Sequence, residues 1–178
     1  MRAAKSKEPK AKSAGRVVRT NDQTNDQTDD QRLTLRDYAV GDFDALLALD
    51  QQCFAEGIAY PAAELNHFIR RRRAFTIVAE DERGALAGFL IAHMQRDYGW
   101  IVTIDIRADA RRSGLGTRLM AAAEERLRAA GAVAIVLEVA VDNLAAVNFY
   151  KRLGYTIIRT IPRYYLDSLD AFQMAKRF

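Results

Sequence analysis

Between Trp100 and Val139 the chain switches twice between strand and helix patterning, with a glycine turn at the first switch, and few folds accept that order. Trp100 to Ile106 reads as a strand, and a turn with the sequence R-R-S-G-L-G follows at Arg111 to Gly116. Leu115, Leu119, Ala122, Ala123, Leu127 and Ala130 then share one face at helical spacing, and Gly131 ends that helix. Ala134 to Val139, AIVLEV, is a short and nearly continuous apolar run, as expected of a strand covered on both sides. The unit is therefore strand, helix, strand.

The flanking segments extend this unit into an α/β domain. Leu33, Leu35 and Tyr38 read as a short first strand. Asp42 is a candidate cap for a helix whose apolar face is Phe43, Leu46, Leu47, Leu49 and Cys53. Pro61 suits the first turn of a second helix that buries Leu65, Phe68 and Ile69. Phe75 to Val78 and Leu86 to Met94, joined by a turn at Asp81 to Gly84, read as a hairpin. A helix from Asn143 to Leu153 stops at Gly154, and strands at Tyr155 to Thr160 and about Ala171 to Lys176 complete a mixed sheet. The expected order is β-α-α-β-β-β-α-β-α-β-β, about seven strands flanked by about four helices.

A chain of 178 residues, 49% of them hydrophobic, holds one such domain with a real core. Residues 1–31, with the near-repeat TNDQ-TNDQ-TDDQ, contain too few large apolar side chains to offset the entropy of ordering, so a disordered tail precedes a domain expected over 32–178. That tail is either a basic tether for ribosome, RNA or acidic membrane, or a solubilising extension. The net charge of +4 is unevenly placed: residues 1–19 carry +6, residues 20–31 carry −4, and the rest carry +2. The folded part is nearly balanced and lacks a nucleic-acid motif, so no specific nucleic acid is expected as a partner. With one cysteine, no signal-peptide core and no apolar run long enough to span a bilayer, the expectation is a soluble, cytoplasmic, reduced protein with no membrane partner.

A strand leading into a glycine turn that opens a helix is a device for binding a pyrophosphate. The first amides have no intrahelical acceptor, the helix dipole favours an anion, and glycine permits close approach. No Gly-Lys-Ser/Thr follows, and the three glycines of a dinucleotide fingerprint are absent, so both of those nucleotide readings weaken. Arg111, Gly114 and Gly116 instead resemble the acetyl-CoA signature of the GNAT superfamily, Arg/Gln-x-x-Gly-x-Gly/Ala. Leu137 to Tyr155 resembles the second half of that family's core, with Asn143, Ala146, Phe149, Tyr150, Gly154 and Tyr155 matching its pattern. Among subfamilies the chain is similar to N-terminal protein acetyltransferases, including the bacterial ribosomal-protein alanine type. The features concerned are Glu138-Val139, Cys53-Phe54 with Tyr60-Pro61, and Tyr164-Tyr165 with Asp170-Ala171 and Met174.

The resemblance implies a GNAT fold and an N-acetyltransferase that moves acetyl from acetyl-CoA directly to a primary amine. The acceptor is a peptide or protein N-terminus, or alternatively a small-molecule amine or a lysine. A non-catalytic acyl-CoA-binding module is the rival class, and a monomer or homodimer is expected. The same likeness implies that the pantetheine arm lies beside Ile104, Asp105 and Ile106. The pyrophosphate is expected on Arg112, Ser113, Gly114, Leu115, Gly116 and Thr117, with Arg111, Asn143 and Tyr150 also on the cofactor. Tyr164 and Tyr165 are expected to line the acceptor groove with Phe54 and Tyr60, although strand alternation points adjacent residues to opposite faces and leaves open that one of the two tyrosines is core.

Two residues are candidates for the proton transfers that amine acetylation needs. Glu138 interrupts an apolar strand, where burial is expected to raise its pKa toward that of a useful base; alternatively it faces solvent or pairs with an arginine. Tyr150 can donate a proton to a departing thiolate, or it is one more buried aromatic. His67 and His93 have no metal-spaced partner, so no metal is expected. Cys53 reads as a small core residue rather than a nucleophile, and Arg70 to Arg73 as a solvated helix end.

Overall fold

The computed structural model describes residues 33–54 and 58–178; the expected tail of residues 1–31 lies outside the described residues. The strands are β1 (Thr34–Asp37), β2 (Ala74–Glu80), β3 (Leu86–Gln95), β4 (Tyr98–Ile106), β5 (Ala134–Ala140), β6 (Thr156–Tyr165) and β7 (Leu169–Arg177). The α-helices are α1 (Phe43–Cys53), α2 (Ala62–Arg70), α3 (Leu115–Ala129) and α4 (Leu144–Arg152). Chain order matches the expected order, and the seven strands form one mixed sheet, β1-β2-β3-β4-β5-β7-β6.

Two hydrophobic layers sandwich the sheet because its central strands carry apolar side chains on both faces. On one face Leu46, Leu49, Leu65 and Phe68 of α1 and α2 pack on Val78, Phe89, Ile91 and Val102. On the other, Leu115, Leu119, Met120, Ala123 and Leu127 of α3 pack on Leu90, Ile101, Ile135 and Leu137. Burying each of those leucines contributes roughly 2 kcal/mol. The α3 helix crosses β4 at Gly99, where a Cβ would sit 2.6 Å from a Leu127 methyl, so only glycine admits the helix this closely. Val147 and Tyr150 of α4 join the same layer.

Asp42 stands at the N-cap position of α1, but its carboxylate does not cap that helix. It accepts bonds from Arg36 Nη1 at 2.7 Å and from the Ala39 amide at 2.7 Å, because the chain enters α1 through a 3-10 turn at Val40–Asp42 that uses the carboxylate first.

The feature that shapes the site lies mid-sheet. Parallel strands β4 and β5 pair only at Tyr98–Trp100 against Ala134–Val136, whereas β5 stays paired with β7 from Ala134 to Ala140. Beyond Trp100 the two parallel strands part, so the C-terminal half of β4 has β3 on one side and an opening on the other.

Candidate active site

A groove of about 640 Å³ occupies that opening. Its walls are Ile104 and Ile106 of β4, Arg111, Arg112, Gly114, Gly116 and Thr117 at the start of α3, and Ala145, Ala146, Asn148, Phe149, Tyr150 and Arg152 of α4, with Cys53 at the end of α1. The sequence turns predicted to act together therefore converge on one space.

The turn before α3 has the backbone an anion cradle requires. Arg112 and Gly114 are both left-handed, with φ of 64° and 84°. Alternating handedness turns successive amides toward one concavity. Ser113 Oγ donates to the Ala110 carbonyl at 2.8 Å and receives the Leu115 amide at 3.4 Å, which ties the turn to the end of the preceding link. The next amides, of Gly116 and Thr117, come too early in α3 for an intrahelical acceptor, and the first turn carries no acidic side chain. At Gly116 a Cβ would meet Ile106 Cδ1 and Phe149 Cζ, each at 3.2 Å, so glycine keeps β4, α3 and α4 close together.

Not every expected residue presents its side chain to the groove. The Leu115 side chain is fully buried in the core, which leaves its backbone alone at the turn. Arg111 directs Nε to the Ile106 carbonyl at 3.0 Å and Nη2 to Cys53 Sγ at 3.6 Å, so it braces the end of β4. Asp105 lies between two groove-facing isoleucines, and alternation sends its carboxyl to the opposite face. There it is buried, accepts a bond from Thr103 Oγ1 at 3.1 Å, and is held well above the ordinary carboxylate range by burial and by the nearby Asp50. Asn143 caps α4, its Oδ1 accepting the Ala146 amide at 3.2 Å, and its Nδ2 is buried without an acceptor among the described residues.

Glu138 is 1% exposed. Leu137 and Val139 face α3, so Glu138 points to the α1 side of the sheet. Trp100 Nε1 donates to its Oε2 at 3.1 Å, and Gln173 Nε2 donates to its Oε1 at 2.7 Å. Tyr150 is also 1% exposed; its ring touches those of Phe149 and Tyr155 and forms part of the groove wall.

The aromatic residues expected on the acceptor side divide. Tyr165 is buried with Ala140 and Ala171, and Tyr164 packs against the same cluster with its ring at 90° to that of Tyr165. Simple alternation fails here because β6 is irregular between Ile161 and Tyr165, where Arg163 is left-handed. Phe54 is 8% exposed at the end of α1. Tyr60 does not present its ring: it is buried against Phe68 beneath α1 and α2, while its amide donates to Asp50 Oδ2 at 2.6 Å.

Sequence reasoning missed Cys53 as a groove residue, and missed Asp50 and Gln173 altogether. Cys53 lines the groove, its thiol pushed up to about 11 mainly by burial, with Asp105 adding to the effect. A polar residue inside an apolar helical face was a usable signal for Asp50. For Gln173 the signal is its position opposite Glu138, which needs the strand register.

A parted pair of parallel strands with a helix-start anion cradle at its mouth suits a ligand that carries a diphosphate on an extended arm. The family model for the acetyltransferase (GNAT) family matches residues 43–155. An uncharacterized N-acetyltransferase of Methanocaldococcus jannaschii is 30% identical, over 82% of this chain and 92% of that protein. An N-alpha-acetyltransferase of Sulfurisphaera tokodaii is 27% identical, over 79% of this chain and 90% of that one. Among solved structures, Ard1 from Thermoplasma volcanium superposes with a TM-score of 0.75 at 27% identity, covering 82% of this chain and 97% of that one. The chain belongs to the acetyltransferase (GNAT) family. It is an N-acetyltransferase with acetyl-CoA as its acetyl donor, and the sheet and helices expected from its sequence are those of the GNAT fold.

Proposed function

We propose that the chain transfers the acetyl group of acetyl-CoA to the N-terminal α-amine of a peptide or protein. The observation that carries this reading is the parting of β4 from β5 beyond Trp100. The groove with its anion cradle opens on the α3 and α4 side, while Glu138 and the Tyr164–Tyr165 cluster lie on the α1 side. Donor and acceptor then meet at the opening from opposite faces. The Sulfurisphaera relative, an N-alpha-acetyltransferase by name, supports this acceptor class.

In this reading the diphosphate lies on the amides from Arg112 to Thr117, and the pantetheine arm runs along β4 beside Ile104 and Ile106 with Asn143 Nδ2 as one donor. The orphaned, buried Asn143 Nδ2 fits such a ligand, and the close packing that Gly116 permits sets the cradle beside β4. A β4 amide near Ile106 holds the thioester oxygen as charge develops on it. Glu138, directly or through a water, accepts the proton that the α-amine loses, and Tyr150 returns a proton to the departing thiolate. Burial pushes the Cys53 thiol up to about 11, which disfavours the thiolate that an acetyl-cysteine route needs, so in this reading the amine attacks the thioester directly.

The test is release of free thiol from acetyl-CoA in the presence of N-terminal peptides, the same peptides with blocked termini, and polyamines. Turnover with free α-amines and none with blocked termini supports the reading. Equal turnover on polyamines assigns a small-amine acceptor, and binding without turnover on every acceptor assigns a non-catalytic module.

A further inference from the structure

The Glu138 carboxylate is held from both neighbouring strands. Gln173 on β7 is its register partner, and Trp100 on β4 is paired with Val136, two residues earlier on β5. Each donates to a different oxygen, at 2.7 Å and 3.1 Å, which fixes the carboxylate about its last torsion. A third cross-strand neighbour continues the row: Arg159 on β6 faces Gln173 and donates Nε to its Oε1 at 2.8 Å. A guanidinium can only donate, so the Gln173 carbonyl must turn toward Arg159 and its NH2 toward Glu138. An exposed edge-strand arginine thereby sets the orientation of a buried amide.

We propose that Gln173 and Trp100, with Arg159 behind Gln173, are positioning residues that hold the Glu138 carboxylate in one orientation for proton transfer. The inference rests on the reading of Glu138 as the base. Hydrogen bonds to the ionised form favour it. Losing one donor therefore raises the pH at which the carboxylate becomes competent, and it also frees the group to rotate. Other titratable or charged groups on this side include Arg159 of β6, the Tyr164–Tyr165 pair, the buried Asp50 and Asp105 of α1 and β4, Cys53 beside Asp105, His93 of β3, and Arg71, whose charge acts on His93. The His93 ring stacks on Trp100 at 6.4 Å, and burial lowers its pKa to about 4.

The chain contains a single tryptophan, so the fluorescence of Trp100 reports on the carboxylate its indole touches. In a pH titration of the full chain, the emission step that persists in His93→Phe is expected to vanish in Glu138→Gln. Gln173→Leu should move that step up by about one pH unit. The acid limb of thiol release should move with it, with kcat about tenfold lower at pH 7 and KM for acetyl-CoA unchanged. Arg159→Ala, on the exposed edge, should shift both in the same direction by less, and it keeps the test available if Gln173→Leu does not fold. Wild-type midpoints and an unshifted acid limb in Arg159→Ala, and in Gln173→Leu where it melts normally, overturn the positioning role. Full turnover by Glu138→Gln at every pH overturns instead the assignment of the base, while the fluorescence shifts still report the network.

Discussion

At Asp105 burial and the nearby Asp50 carboxyl both disfavour ionisation, and only the Thr103 hydroxyl and the Arg111 charge work against them. Below the unfolded-state pKa of about 3.9 both folded and unfolded chains carry the proton, so the site contributes no pH dependence. Above that value the unfolded chain ionises first and stability falls with rising pH until Asp105 ionises in the folded protein. Asp105→Asn is therefore expected to flatten this decline and to raise the urea midpoint at pH 7 relative to wild type, with no gain below pH 3.5. A midpoint lowered equally at both pH values would mean that the carboxyl is needed for its hydrogen bond rather than tolerated despite its burial. Tyr150 presents a different case, since its ring is wedged between Phe149 and Tyr155 and so is fixed in place. Tyr150→Phe keeps that packing and removes the hydroxyl, so kcat should drop about 100-fold. The acetyl-CoA Kd measured by calorimetry should change less than twofold, and the reverse pattern would leave Tyr150 with a binding role alone.

The start of α3 combines a left-handed Arg112, a left-handed Gly114 and a Gly116 pressed between β4 and α4. The first two shape the cradle, and the third sets how closely the cradle sits to the strand beside it. In Gly116→Val the side chain meets Ile106 and Phe149 and forces the three elements apart. Overpacking of this kind costs about 1–3 kcal/mol. Calorimetry with coenzyme A should show at least tenfold weaker binding, while a thermal melt falls by only a few degrees. Unchanged affinity would show that the amides after Gly116 are not the anion's contacts. The β6 strand makes the opposite point about elements: its kink at Arg163, fixed in part by the hydrogen bond that the Arg163 amide donates to Asp170 Oδ1 at 2.7 Å, brings two adjacent tyrosines to one cluster.

Across the whole molecule, what the sequence made legible follows from how local the causes are. Hydrophobic period and glycine stops marked the seven strands and four helices, because each depends on neighbours a few residues away. The groove was legible as far as its members come from turn and helix starts, as with Gly114, Gly116 and Asn143. Side-chain direction was not: Leu115 and Tyr60 turn inward, Asp105 turns away, and Arg111 braces β4, all decided by packing between distant segments. Trp100 and Gln173 reach Glu138, and Arg159 reaches Gln173, only once four strands are in register, information that no window along the chain contains.

The early separation of β4 from β5 gives the proposed reaction two doors. On that proposal a bulky nucleotide would enter by one, and a polypeptide would thread its tip through the other, however large the body attached to it. Neither guest has to climb over the other to leave, so on this layout the order in which products depart is a matter of affinity rather than of obstruction.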